Sequence, residues 1–164
     1  MRGSRGGLLF SAVAAVGVSG WVFVASPERV PTHFAFDGTP DEWSTPTEAF
    51  VVETCVVAGF TLLFLAVPLL MRVLPDDLIN LPHREYWLTP QRRPRALALV
   101  ARWSDLMGIA ANVLLLFVAL IVYRTSIRPD HRAPAWWFVV LLASFLGVTA
   151  LTVVQLYRAF SDRS

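Results

Sequence analysis

The sequence predicts an all-α membrane protein, a bundle of four transmembrane helices with both termini in the cytoplasm. The main observation is four stretches of 18 to 25 residues without a charged side chain: 6–27, 54–71, 106–123 and 133–157. A helix needs about 20 apolar residues to cross the bilayer core, where its backbone groups have no water to bind. The composition agrees, with 55% hydrophobic residues, 16% charged residues and a mean hydropathy of +0.57. We therefore expect residues 1–164 to form a single integral membrane domain.

The orientation follows from arginine, because all fourteen basic residues are Arg. The termini and the connection between the second and third stretches hold ten of them, and the other two connections hold four. Positively charged residues stay in the cytoplasm, so the ten-arginine side is predicted to face inward. The ten are Arg2, Arg5, Arg72, Arg84, Arg92, Arg93, Arg95, Arg102, Arg158 and Arg163, and the four are Arg29, Arg124, Arg128 and Arg132.

The first helix is predicted over residues 7–25. Its start resembles a signal peptide, but its apolar core is longer than the usual 7 to about 15 residues and no small-x-small cleavage site follows. We expect it to be retained as a transmembrane helix. The external loop that follows, 26–44, contains three prolines and the turn pair Asp37-Gly38. These residues predict a compact, turn-rich segment.

The second helix is predicted over residues 46–71. Thr45 suits the N-cap position and Glu48 is placed to complete a capping box, with Pro46 at the first helical position. Pro68 is expected to kink this helix near its inner end, because proline removes one backbone hydrogen bond.

A cytoplasmic loop is predicted over residues 73–94, with a short interfacial or irregular segment within it. Thr89-Pro90 looks like a helix start, but Pro94 four residues later would clash with the preceding turn. The third helix is therefore predicted over 95–123. Only ten residues separate it from the fourth helix, 134–158, so these two helices should form an antiparallel hairpin.

Four polar residues within or near the membrane stretches are candidates for function: Glu53, Arg102, Asp105 and Asn112. Ionisable groups in lipid are costly and often functional. Arg102 and Asp105 are three residues apart near the inner end of the third helix, where both side chains should reach water. Glu53 is either such an interfacial residue or a functional one paired with Arg124. Asn112 is expected to form hydrogen bonds between helices.

The external loop holds the second group of candidates. His33 lies near Asp37 and Asp41, and imidazole with carboxylate suits zinc, a hydrogen-bonded turn or a proton sensor. The spacing lacks the close pairing typical of metal sites, so we expect hydrogen bonding and no bound metal. No phosphate-binding loop, nucleophile elbow or His-Glu-x-x-His helix is present, so no catalytic residue and no cofactor are predicted. No folded basic module for nucleic acid is present, and the arginines of 84–102 are expected to contact lipid.

Two motifs carry a family resemblance. The external loop has Pro31, His33-Phe34, Gly38, Pro40-Asp41 and Trp43, and the cytoplasmic loop has Asn80, Pro82 and Tyr86-Trp87-Leu88. Together they resemble the bacterial membrane domain of unknown function found in the N-terminal half of SdpI-type toxin-immunity proteins, over residues 27 to 95. The resemblance implies a multi-pass protein of the cell membrane with an immunity or sensing function.

We therefore expect a non-enzymatic membrane protein that binds a peptide or membrane-protein partner through external loop 26–44. The alternatives are a small transporter that uses Glu53 and Asn112, and a structural subunit of a membrane complex. The expected binding residues are Pro31, His33, Phe34, Gly38, Asp41, Trp43, Asn80, Pro82 and Trp87.

Overall fold

A computed structural model describes residues 2–161, with side chains from residue 4 onward. In this range, three helices and the segment Ser4–Ala25 of a fourth are long and apolar enough to cross a membrane, which confirms the predicted four-helix membrane architecture. Arg163, which contributes to the arginine count, lies outside the described residues. The elements are α1 (Arg2–Ala25), β1 (Val30–Phe34), β2 (Pro40–Ser44), α2 (Pro46–Val73), a 3₁₀ turn (Asp76–Leu78), α3 (Arg84–Trp87), α4 (Arg93–Ser126) and α5 (Ala135–Ser161).

The helices α1, α2 and α4 pack against one another, whereas α5 packs mainly against α4. Small residues allow α1 to approach its neighbours closely: Ser11, Ala15 and Ser19 are all buried on one face, four residues apart. On the facing helix, a Cβ added to Gly108 would lie 2.6 Å from Leu8 Cδ1. Helix α5 leaves an apolar cleft of about 780 Å³ against α4. The core is therefore a three-helix bundle with the fourth helix at its side.

The start of α2 follows the predicted capping box. The Glu48 N–H donates to Thr45 Oγ1 at 3.2 Å, and the Thr45 N–H donates to the Glu48 carboxylate at 3.0 Å. Pro46 occupies the first turn and Pro68 lies inside the helix. Two of the orphan N–H groups at this helix end are thereby satisfied.

The start of α4 differs from the prediction. The helix begins at Arg93 rather than residue 95, and Pro94 lies within its first turn. Proline is well placed there because the first N–H groups of a helix have no intrahelical partner, so the expected clash does not arise. Thr89-Pro90, which looks like a helix start in the sequence, lies in a turn between α3 and α4, where a short irregular segment was expected.

The molecule has two polar ends. The arginine end comprises residues 72–105 with the adjoining ends of α1 and α5, and the hairpin end comprises residues 26–45 and 127–134. At the arginine end, Trp87 is buried, its indole N–H donates to the Phe160 carbonyl at 2.7 Å, and the two rings meet edge to face at 5.2 Å. This contact joins the segment 73–94 to the last turn of α5.

Candidate functional site

The predicted turn-rich loop is a two-stranded antiparallel β-hairpin. The Gly38 N–H donates to the Ala35 carbonyl at 2.9 Å, and the Ala35 N–H donates to the Thr39 carbonyl at 2.8 Å. Residues 36–38 therefore turn the chain. The last of them, Gly38, has a φ of +79° and is in the left-handed conformation. This geometry is one of the common hairpin connections, and it requires glycine or asparagine at that position. The all-α description thus holds for the membrane-spanning part, and the hairpin is an addition to it.

The tip of the hairpin is fixed to the connection between α4 and α5. The Ala133 N–H donates to the Gly38 carbonyl at 3.0 Å, and a Cβ added at Gly38 would lie 1.9 Å from the Ala133 oxygen. The Asp37 carboxylate lies 3.6 Å from the Arg132 guanidinium. The pKa of Asp37 is held below its usual value chiefly by the hydrogen bonds that its carboxylate accepts from Thr39. Glycine at position 38 therefore serves both the turn and the close approach of two backbones.

Aromatic contacts fix the two strands. The Phe34 ring lies 5.1 Å from the Phe138 ring on α5, and the Trp43 ring meets the His131 ring edge to face at 5.4 Å. Val30, at the start of β1, is buried. Phe34 thus packs the hairpin onto α5, and Trp43 packs it onto the connection between α4 and α5. The hairpin is an ordered platform, held at its tip and along both strands.

His33 and Asp41 form the polar feature that this platform presents. Strand pairing is irregular on both sides of His33, and Asp41 falls between the paired residues Pro40 and Glu42. Such irregularities re-aim side chains, and here His33 Nδ1 lies 2.6 Å from Asp41 Oδ1. The two side chains remain 64% and 49% exposed. The hydrogen bond to Asp41, and then its charge, raises the pKa of His33 above 6.5.

The six predicted binding residues of the hairpin divide into three pairs. Pro31 and Gly38 are buried and shape the hairpin, Phe34 and Trp43 pack it onto the bundle, and His33 and Asp41 face outward. The other three are not part of this site, because they lie at the arginine end of the molecule. There, Asn80 is exposed, Pro82 is half-buried and Trp87 is buried.

One exposed residue of the hairpin was not singled out from the sequence. Phe36, at the tip, is fully exposed, although its neighbours Ala35 and Gly38 are partly or fully buried. Phe36 lies between the positions of the loop motif, so no local sequence pattern marks it. A large aromatic ring on an ordered turn is a typical anchor for a binding partner.

Asn112 links three helices. Its side-chain N–H₂ donates to Ser11 Oγ on α1 and to Thr61 Oγ1 on α2, both at 3.2 Å. The residue is fully buried. The geometry matches the interhelical hydrogen bonding expected of Asn112, and it leaves the two amide protons engaged within the core.

The pairing with Arg124, one of the two alternatives for Glu53, is wrong. The Glu53 carboxylate accepts a hydrogen bond from Ser19 on α1 at 3.0 Å, and Arg124 is exposed on α4. Similar depth in the membrane suggested Arg124, but the rotation of α2 turns Glu53 toward α1. The small-residue face of α1, which includes Ser19, is the signal that could have identified this partner.

Asp105 also departs from the expectation that it reaches water. It is only 2% exposed, and its carboxylate accepts a hydrogen bond from Ser4 Oγ at 2.7 Å. Arg102 is exposed, as expected, and both residues line one cleft between α1 and α4. In the described residues, no group of three His, Cys, Asp or Glu side chains is placed to hold a metal ion.

Comparison with known proteins gives one result that bears on this site. Residues 10–53 match the model of a domain of unknown function, DUF1648. The matched segment is less than half of the chain, and it covers most of α1, the whole hairpin and the beginning of α2. No curated protein and no solved structure matches the chain. The similarity thus centres on the hairpin and assigns it no activity.

Proposed function

We propose that this is a non-enzymatic protein of the cell membrane that binds a peptide or another membrane protein through its hairpin. The observation that carries the proposal is the contrast between a firmly docked hairpin and its exposed His33–Asp41 pair. Binding residues commonly lie on loops that a rigid scaffold holds in place. A flexible connection would need none of the backbone and aromatic contacts that fix these residues.

The exposed surface combines polar and apolar groups that suit a peptide. With Nδ1 directed at Asp41, the His33 Nε2 is left to meet a partner, while the second Asp41 oxygen is an acceptor. Phe36 adds an aromatic side chain at the tip of the same hairpin. An aromatic anchor beside polar groups is the usual composition of a binding hot spot.

The resemblance to the domain in SdpI-type toxin-immunity proteins favours a peptide partner outside the cell, with immunity or sensing as the outcome. The transport alternative has less support, because Asn112, one of its two key residues, is engaged in bonds between helices. The proposal places the hairpin outside the cell, as the arginine count predicts.

A paired substitution tests this function. A strain that lacks the gene is profiled for growth under many conditions, including exposure to peptide toxins, and is then complemented with variants. His33→Ala combined with Asp41→Ala should fail to restore growth in every condition in which the deletion is impaired. The protein level in the membrane, measured by immunoblot, should match the wild type.

The matched control removes another exposed ion pair at the same end. Arg128 and Asp130 lie on the connection between α4 and α5, with exposures of 42% and 51%. Arg128→Ala combined with Asp130→Ala should restore growth. Full complementation by the His33/Asp41 variant would refute the proposal and move the functional site to the helices or to residues 80–87.

A further inference from the structure

A second charged site lies at the arginine end, between α1 and α4. A cleft of about 440 Å³ opens there, and Arg5 from α1 and Arg95 and Arg102 from α4 line it. Arg95 and Arg102 are seven residues apart, so they lie on the same face of α4 two turns from each other. Sequence alone placed these arginines on one side of the membrane. The fold brings them to the same cleft.

The electrostatics of this cleft favour an anion. In the described residues, neither Arg5 nor Arg102 forms an ion pair with a carboxylate, and the Arg95 guanidinium lies 5.8 Å from the centre of the Trp87 ring. One acidic residue lines the cleft, Asp105, which is buried and bonded to Ser4. Three arginines and one aspartate give the cleft a net charge of +2.

The surroundings of the arginines point to a lipid rather than a soluble anion. Apart from Ser4, the rest of the lining is apolar, formed by Ala98, Leu99 and Ala101 of α4. This part of α4 continues directly into the membrane-spanning stretch, so a headgroup at the arginines would leave its acyl chains beside apolar helix surface. Basic pockets between transmembrane helices on the cytoplasmic side commonly bind anionic headgroups. Guanidinium groups match phosphate oxygens in charge and in geometry.

We propose that the cleft between α1 and α4 binds the phosphate of an anionic phospholipid. Arg5 and Arg102 clamp the phosphate from opposite helices, and Arg95 adds positive charge. The buried Asp105 opposes the bound anion and limits its affinity. The bound lipid would thus join the N-terminal end of α1 to the start of α4.

Native mass spectrometry of the purified full chain tests the proposal. The protein is titrated with phosphatidylglycerol or with zwitterionic phosphatidylcholine of the same acyl chains. Phosphatidylglycerol should be retained and phosphatidylcholine should be lost. The Arg5→Gln/Arg102→Gln variant should lose about 30-fold in affinity for phosphatidylglycerol, as expected for two removed arginines near a lipid phosphate. Equal retention of the two lipids, or wild-type affinity in this variant, would overturn the assignment.

A matched control and a variant of opposite sign make the test specific. Arg158→Gln removes an exposed arginine at the same end, on α5 and outside the cleft, and should leave affinity unchanged. Asp105→Asn keeps an acceptor for Ser4 but removes the opposing charge, so it should bind phosphatidylglycerol more tightly than the wild type. An equal loss of phosphatidylglycerol affinity in Arg158→Gln would mean that only the net charge of the protein matters, and it would overturn the assignment to this cleft. Weaker binding of phosphatidylglycerol in Asp105→Asn would contradict the proposed geometry. Displacement of the lipid by inorganic phosphate would assign the site to a soluble anion instead.

Discussion

Substitution of Gly38 should release the hairpin from the bundle. In Gly38→Ala, the new Cβ would lie 1.9 Å from the Ala133 carbonyl oxygen, a backbone atom that cannot rotate away. The substitution also places an L-residue at a φ of +79°. Either the turn or the connection between α4 and α5 must therefore move, and the hydrogen bond from the Ala133 N–H to Gly38 is lost.

The size of the effect follows from two free-energy costs, the left-handed conformation of residue 38 and the lost hydrogen bond. A left-handed conformation costs a non-glycine residue roughly 1–2 kcal/mol. Loss of one hydrogen bond costs a further 0.5 to about 1.5 kcal/mol. The docked state should therefore lose about 1.5–3.5 kcal/mol relative to the undocked state. At 1.4 kcal/mol per tenfold, the population of the undocked hairpin should rise about 10- to 300-fold.

Amide hydrogen exchange of the protein in lipid nanodiscs measures this population. Protection at Ala133 and along residues 30–44 should fall by the same factor in Gly38→Ala, while protection in the middle of α4 stays unchanged. Gly59→Ala is the matched control, because no atom lies within 4 Å of its added Cβ. Wild-type protection at Ala133 in Gly38→Ala would refute the docking argument.

Three further predictions concern orientation, the core and the polar pair. In a cysteine-free background, Thr39→Cys should react with a membrane-impermeant thiol reagent in intact cells and Gln91→Cys should not, because the arginine count places residue 39 outside. Asn112→Ala should lower the stability toward denaturing detergent by about 1 kcal/mol, since each interhelical hydrogen bond in a membrane contributes roughly 0.6 kcal/mol. The NMR titration midpoint of His33 should lie above 6.5 and fall toward 6.5 in Asp41→Asn, because Asp41 stabilises the imidazolium. While Asp41 is ionised, the charged pair is complete below the His33 pKa and is lost as the pH rises through that pKa.

Each of these predictions has a clear contrary outcome. The reverse labelling pattern would invert the topology and place the hairpin in the cytoplasm. Unchanged stability in Asn112→Ala would mean that its two hydrogen bonds contribute nothing to the packing of α1 and α2 on α4. An identical His33 midpoint with and without the Asp41 carboxylate would show that the two side chains do not interact in solution.

The transmembrane helices could be predicted from the sequence because a span depends on composition and length alone. The start of α2 was equally accessible, since Thr45 and Glu48 form a purely local pattern. The start of α4 was placed two residues late, because Pro94 was judged as an interior residue. In the first turn of a helix, the same proline removes no hydrogen bond.

The hairpin and the core contacts depended on information that no local pattern carries. Strand β1 contains one proline and β2 begins with another, which is unusual for strands. The docking of the hairpin depends on Ala133 and Phe138, which lie about a hundred residues further along the chain. The partner of Glu53 likewise depends on how α2 is rotated. The sequence predicts the depth of a residue in the membrane but not the rotation of its helix. Depth alone therefore suggested Arg124 as the partner of Glu53, whereas the contact is with Ser19.

In-cell photocross-linking from the tip of the hairpin tests the central claim most directly. A photoreactive phenylalanine analogue at Phe36 should give a discrete adduct with a peptide or membrane protein, and the same probe at Leu62, an exposed site on α2, should not. The adduct should disappear when His33→Ala and Asp41→Ala are introduced together. No adduct from Phe36, or an adduct that is indifferent to the loss of His33 and Asp41, would contradict a binding function for the hairpin.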